Sequence, residues 1–273
     1  MTLRDHLASL GLAPRDARTA LRSGKVFLDG VPTADGGREI DPRRVVVRPR
    51  AARLTVGRDP VLVHRDAALA VVWKPPRMLA VPAPGRAGER SVLGFVARLA
   101  GAAHAVHRID EETSGLMVVA LDEKTQAHLK KLFESHDVER SYLALVDGAA
   151  PASREVDAPI VRDRGDGRRG TGAGGRAAIT HVERLERLLG ASLVRATLAT
   201  GRPHQIRVHL ASIGHSVLGD RLYAPPAVAR RAPRLALHAA VIGFRHPSTG
   251  KELRFEAPLA DDLEVLRRSL AKP

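Results

Sequence analysis

The chain has 273 residues, 44 Lys+Arg against 30 Asp+Glu and 44% hydrophobic residues, enough to build a sizeable core in one or two globular domains. Zero cysteines exclude disulfides, thiol catalysis and every Cys-ligated zinc site, and no apolar run approaches the roughly 18 residues of a membrane span. The formal charge of +14 points to a polyanionic partner, nucleic acid first, while five Phe, two Tyr and one Trp are too few for a sheet-wide base-stacking platform. The N-terminus, MTLRDHL, meets Asp5 and His6 before any apolar stretch, unlike a secretory signal, so a cytoplasmic protein is expected.

Leu3, Leu7 and Leu10 fall on one face of a first predicted helix, and Pro14 opens a second that Gly24 closes. Val26 to Leu28, Asp29-Gly30 and Val31 predict a hairpin, because Asp-Gly tolerates the positive φ of a tight turn, and Val45 to Val47 supplies another strand. Arg15, Arg18 and Arg22 share one face of the second helix, with Lys25 just beyond. That face is a phosphate-sized positive stripe; spacing alone explains it equally well as a solvated surface. Residues 51 to 62 read as a connector, with the boundary near residue 53.

Beyond it, alternation predicts strands at about 68–73, 115–121, 138–146, 178–187, 191–199, 235–245 and 251–256. Helical periodicity falls near 91–101, 123–135, 204–213 and 260–270. Gly190 and the stretch from His246 to Gly250 read as hairpin connections. The expected class is α+β, with a mostly antiparallel mixed sheet and flanking helices. Residues 162–176 are Gly/Arg-rich and hold two overlapping G-x-G-x-x-G strings, at Gly165, Gly167, Gly170 and at Gly170, Gly172, Gly175. Neither has the strand before it and the helix after it that a dinucleotide site needs, so a flexible loop is expected.

Three segments could carry chemistry. AVHRIDEETSGLMVVA, from Ala105 to Ala120, puts His107, Arg108 and Asp110 in a loop before an apolar strand; an ordinary acidic surface loop is the competing reading. In ATGRPHQIRVHLASIGHSVLGDRLY, Ile206, Leu210 and Ile213 mark a buried helical face and Gly214 its stop. Arg207 sits about 100° from Ile206, where a guanidinium half-held by a core can reach into a cleft and pair with a carboxylate. His204 and His209 are five apart rather than four, which argues against a helical zinc pair. In VERSYLALVD, Tyr142 stands inside a strand, where core packing is the usual role.

Two resemblances go further. LRDHLASLGLAPRDARTALRSGKVFLDGVPT, within residues 2–49, resembles the small RNA-binding domain named after ribosomal small-subunit protein four, with Pro14 where that family usually has Ser and Asp29 where it often has Asn. From about 62 to 260 the chain resembles RluA-type pseudouridine synthases. HRIDEETSGL is similar to their His-Arg-Leu-Asp-x-x-Thr-Ser-Gly-Leu signature, TGRPHQIR to Thr-Gly-Arg-Thr-His-Gln-Ile-Arg, and LALHA to a Leu-x-Leu-His-Ala strand. KPPR departs from Lys-Pro-x-Gly at Arg77, and Pro203 replaces the usual Thr.

The resemblance implies two domains, 1–52 for RNA binding and 53–273 for catalysis, and conversion of uridines in RNA to pseudouridine, ribosomal RNA being favoured and transfer RNA the alternative. By it Asp110 is the catalytic aspartate, Tyr142 the active-site tyrosine, Arg207 the partner of the aspartate and Leu237 an apolar wall. Arg108 would displace the target base, His107, Arg202 and His204 would face the substrate, and Arg15, Arg18, Arg22 and Lys25 would bind RNA. No cofactor, no metal and no obligate protein partner are expected, and the chain should be a monomer. The rivals are a non-enzymatic RNA-binding or ribosome-assembly protein, which gives Asp110 no role, and a metal-dependent RNA hydrolase using the histidines.

Overall fold

The computed structural model describes every residue except 23–24, 29–30, 34–35, 48–58, 87–88, 163–167 and 272–273. Thr2 and Asp5 form a reciprocal cap that starts α1 (Leu3–Ser9). Helices α1 and α2 (Pro14–Arg22) bury Leu3, Leu7, Ala17, Ala20 and Leu21 against Val26. Val26 belongs to β1 (Val26–Leu28), the middle strand between β2 (Val31–Pro32) and β3 (Val45–Val47). Leu10 departs from the expected face: the helix ends at Ser9, and Leu10 is 53% exposed. The Asp29-Gly30 turn lies outside the described residues, but its flanking strands pair antiparallel with Leu28 opposite Val31.

The expected domain boundary and residues 51–58 of the connector also lie outside the described residues. The end of that connector is corrected: Val61–Arg65 is a strand, β4, antiparallel to β5 (Leu69–Lys74). The turn joining them is made by Asp66, whose carboxylate accepts the Ala68 and Leu69 N–H groups at 2.8 and 2.9 Å. The chain continues through α3 (Val92–Ala100), β6 (His104–Ala105), β7 (Ser114–Ala120), α4 (Glu123–Glu134), β8 (Glu139–Asp147), β9 (Ser153–Asp157) and β10 (Ile160–Val161). It then forms β11 (Gly170–Thr171), β12 (Ile179–Leu188), β13 (Ala191–Leu198), α5 (Gln205–Ser212), α6 (Pro226–Ala229), β14 (Leu237–Arg245), β15 (Glu252–Glu256) and α7 (Asp261–Leu270). Strand β2 of the N-terminal unit lies against β4 and β15, and the Thr33 hydroxyl donates to Glu256 at 3.4 Å.

The large sheet runs β4-β5-β7-β14-β8-β13-β12-β9, with β15 beside β14 and β6 beside β7. Its described pairings are antiparallel except β7 with β14, so the expected class and the predicted strands and helices hold. LAVVWK and GLMVVA read as continuous apolar runs because β5 and β7 are covered on both faces. Ala70, Val72, Met117 and Val119 pack on Val92 and Val96 of α3. The alternate residues Leu69, Val71, Trp73, Leu116 and Val118 join Leu129 of α4, Ile206 and Leu210 of α5 and Leu263 of α7. Each large side chain so buried contributes about 2 kcal/mol.

The parallel pair decides where a site can form. Because β7 and β14 run the same way, the loop entering β7 and the first residue of β14, Leu237, emerge at one edge of the sheet. Tyr142 on β8 lies opposite Ala239 of β14. Gly115 makes this possible: its φ is +117°, and a Cβ there would collide with the Ala239 backbone. The Gly/Arg-rich segment is also corrected. Residues 163–167 lie outside the description, but Gly170–Thr171 pairs with Ile160–Val161, and Arg176 exchanges two backbone hydrogen bonds of 2.9 Å with Ile160. A ladder, not composition, sets the conformation of Gly170–Thr171 and Arg176. Among the described residues, no helix is long and apolar enough to cross a membrane.

Candidate active site

His107 fixes the loop before β7. Its Nε2 accepts the Val118 N–H at 3.0 Å, and its ring stacks on Phe133 with centroids 4.5 Å apart. Burial, helped by the Arg140 charge, pushes its pKa down to about 3, so the ring stays neutral and able to accept. His107 lines the cavity described below, but its acceptor nitrogen is committed to the chain. Just past the loop tip, the buried Lys74 ammonium donates to the carbonyls of Pro75, Met78 and Glu111 at 2.9, 2.9 and 2.8 Å. Held at both ends, the loop presents Arg108 to solvent and Asp110 to a cleft.

His238 on β14 resembles His107: burial, with Arg234 adding to it, pushes its pKa down to about 3. The unfolded chain therefore takes up protons that the native chain refuses once the pH falls below the ordinary histidine value of about 6.5. The contribution of these two histidines to stability should be full above that pH and decline continuously toward about 3. Urea unfolding across this range is the check; His107→Gln should flatten the decline, and a pH-independent parent would refute the account.

Asp110 meets an array built from α5 and the turn after it. Arg207 Nη1 donates to Asp110 Oδ2 at 3.1 Å, while its Nε and Nη2 donate to the two oxygens of Asp220, both at 2.8 Å. Asp220, 1% exposed, also accepts the N–H groups of Leu222 and Tyr223 at 2.9 and 3.1 Å. The Tyr223 ring lies under the guanidinium, 5.0 Å from Cζ to centroid. Burial opposes the charge on Arg207, but its bonds to Asp220 and Asp110 outweigh that and hold its pKa above the ordinary value. Asp220 fixes the guanidinium in two bonds, leaving a third to point at Asp110.

His204 stands beside the carboxylate, its Nε2 3.9 Å from Asp110 Oδ1 and its Nδ1 2.7 Å from the Tyr223 hydroxyl. Its backbone is left-handed, φ +59°, an unusual state for a non-glycine residue. The neighbouring Gln205 over-determines it: its amide donates to Ile179 O and Thr180 Oγ1, and its carbonyl accepts from Arg202 N and Thr200 Oγ1. His209 turns elsewhere, bonding Thr180 Oγ1 and Ala158 O at 2.9 Å each. Among the described residues no group of three or more His, Asp or Glu is placed to hold a metal.

His107, Asp110, His204 and Arg207 line a cavity of about 830 Å³, shared by Tyr142, Leu237, Arg108, Arg202, Arg169 and the ladder residue Arg176. That volume suits a ligand of nucleotide size. Burial raises the Tyr142 phenol to about 12, so it carries its proton at neutral pH. Arg202 is half spent on the Ala177 carbonyl, at 2.9 Å. Arg15 and Arg18 are exposed on α2, outside this cavity; Lys25 is half-buried, and the side chain of Arg22 lies outside the description. Sequence reasoning missed Asp220, Tyr223, Arg140, Arg169 and Arg176. The string GDRLY held the first two, but nothing in it names Arg207 as their partner.

The family described as RNA pseudouridylate synthase matches residues 68–212. Ribosomal large subunit pseudouridine synthase D of Zymomonas mobilis is 39% identical over 238 residues, covering 77% of this chain and 72% of that protein. The dual-specificity RNA pseudouridine synthase RluA of Escherichia coli is 36% identical over 203 residues, 72% of this chain and 92% of that protein. Among solved structures, human RNA Pseudouridylate Synthase Domain Containing 4 superposes with a TM-score of 0.63 at 25% identity, over 77% of this chain and 92% of that one. The resemblance expected from about 62 to 260 holds and the non-enzymatic alternative gives way: the chain belongs to the RNA pseudouridylate synthase family and is an RNA-modifying isomerase.

Proposed function

We propose that the chain isomerises specific uridines of large-subunit ribosomal RNA to pseudouridine, with Asp110 as the essential group. The observation that carries this is the Asp110 carboxylate, held at 3.1 Å by an Arg207 that Asp220 fixes, in a cavity shared with Tyr142 and Leu237. The reaction breaks the bond from the ribose to ring nitrogen and forms one to ring carbon. The carbon loses its proton, the nitrogen gains one, and the product is an isomer. A carboxylate can act as nucleophile or as base on the sugar, and the balance calls for no redox partner or co-reactant. Tyr142 and Leu237 hold the freed uracil while it turns. Arg108, exposed at the mouth, fills the gap left when the base leaves its stack, offsetting part of a cost of a few kcal/mol.

We further propose a monomeric, cytoplasmic protein with an RNA-binding domain at residues 1–52 and a catalytic domain at 53–273. Pseudouridine mapping of cellular RNA with and without the protein, and of a large-subunit ribosomal RNA transcript treated with the purified chain, tests it. Sites confined to transfer RNA would redirect the substrate; none in any RNA would refute the reading. For the N-terminal unit, replacing Arg15 and Arg18 together with Gln should flatten the dependence of log affinity on log salt by roughly 1.4 to 1.8, the value for two lost phosphate contacts. An unchanged slope would mean that α2 does not touch RNA.

A further inference from the structure

We propose that Arg140 docks a backbone phosphate beside the target nucleotide, which makes it a substrate-positioning residue. The proposal rests on the reading of the cavity as a uridine site. Arg140 precedes Tyr142 by two residues on β8, so both side chains face the same way, and both line the cavity with Asp110. It is 8% exposed, and neither its Nε nor its Nη2 has a hydrogen-bond partner among the described residues. The guanidinium rests on the Phe133 ring, 5.6 Å from Cζ to centroid. Gly201 also runs against it: a Cβ there would collide with Nη1, so only glycine leaves the guanidinium its room. Among the described residues no carboxylate pairs with this cation.

An arginine does not shed its charge, and leaving one buried and unpaired destabilises a fold. A strand position between Glu139 and Ser141, packed on Phe133, would take an aliphatic side chain at lower cost. The counter-charge therefore comes with the substrate, and a polyanionic RNA carries one at every phosphate. A uracil carbonyl could fill one donor but could not balance the charge, and Arg202 and Lys130 also line the cavity, whose Lys and Arg residues outnumber its carboxylates, Asp110 and Glu134. The register fits as well. One strand repeat separates Arg140 from Tyr142, roughly 6.6 Å, the reach from a base held at Tyr142 across its ribose to a phosphate.

The test uses the full chain, its Arg140→Met and Arg140→Lys variants, and a synthetic RNA stem-loop carrying the mapped uridine. The stem-loop is made with one uncharged methylphosphonate linkage at each phosphate around that uridine in turn. Binding and single-turnover rate at saturating RNA are read separately. At one linkage the parent should lose roughly 10- to 100-fold in affinity, the loss of one charge-assisted contact. Arg140→Met should show the same loss on unmodified RNA and no further loss at that linkage, Arg140→Lys should recover part of it, and Arg140→Met should melt no lower than the parent. The proposal is overturned if Arg140→Met binds unmodified RNA like the parent, if it is as sensitive as the parent at every linkage, or if it melts lower and loses affinity only in step. Failure of the parent to form pseudouridine would count against the uridine reading, whereas linkage-specific binding reports on Arg140 alone.

Discussion

Asp110→Asn is expected to lower isomerisation by a factor on the order of 10⁴ or more, the scale on which removal of a nucleophile or its base acts, while RNA binding stays nearly intact. The amide keeps the size of the carboxylate, and its oxygen can still accept from Arg207 Nη1, which Asp220 holds in place through its other two bonds. The loop is anchored independently by His107 on Val118 and by Lys74 on Glu111, so its shape does not depend on the charge. Single-turnover formation of pseudouridine beside an RNA-binding titration separates the two effects. Residual turnover within about tenfold of the parent would remove Asp110 from the essential role that this chemistry assigns it.

Arg207→Ala should reduce activity and stability together. It takes the counter-ion from Asp110 and leaves Asp220 buried with only two backbone N–H partners, and breaking a buried pair in this way costs about 3–5 kcal/mol. Urea unfolding measures the stability loss, and turnover at a concentration where the variant is folded measures the rest. Arg207→Lys should recover part of the stability but little activity, since one ammonium cannot grip both oxygens of Asp220 and also reach Asp110. If Arg207→Ala unfolds like the parent and turns over within about tenfold of it, the partner of Asp110 must be sought elsewhere, Arg202 first.

Hydrophobic periodicity located β5, β7, β8, β12, β13, β14 and β15 of the large sheet and the helices α3, α4, α5 and α7, because each packs apolar residues at its own period against the core and so writes that period into the sequence. The elements that escaped it are short or bury little. Strand β9, SREVD, has one buried side chain, Val156, and β4 is only partly buried at the edge of the sheet. The end of the Gly/Arg-rich segment, residues 170–176, looked structureless because backbone pairing with Ile160, which needs no apolar side chain, orders it.

The sequence by itself determined the charge that points to a polyanionic partner, the absence of thiol chemistry, and the strings around Asp110, Tyr142, Arg207 and Leu237 that carry the family resemblance. Those features are local or compositional, and so need no partner to be read. Tertiary structure alone decided that these four residues share one cavity, because that depends on β14 pairing in parallel with a strand about 120 residues earlier, through Gly115. It alone matched Asp220 to Arg207 and gave Arg140 no carboxylate partner among the described residues: a charge shows its sign in the sequence, but its partner is whatever the fold brings within bonding distance.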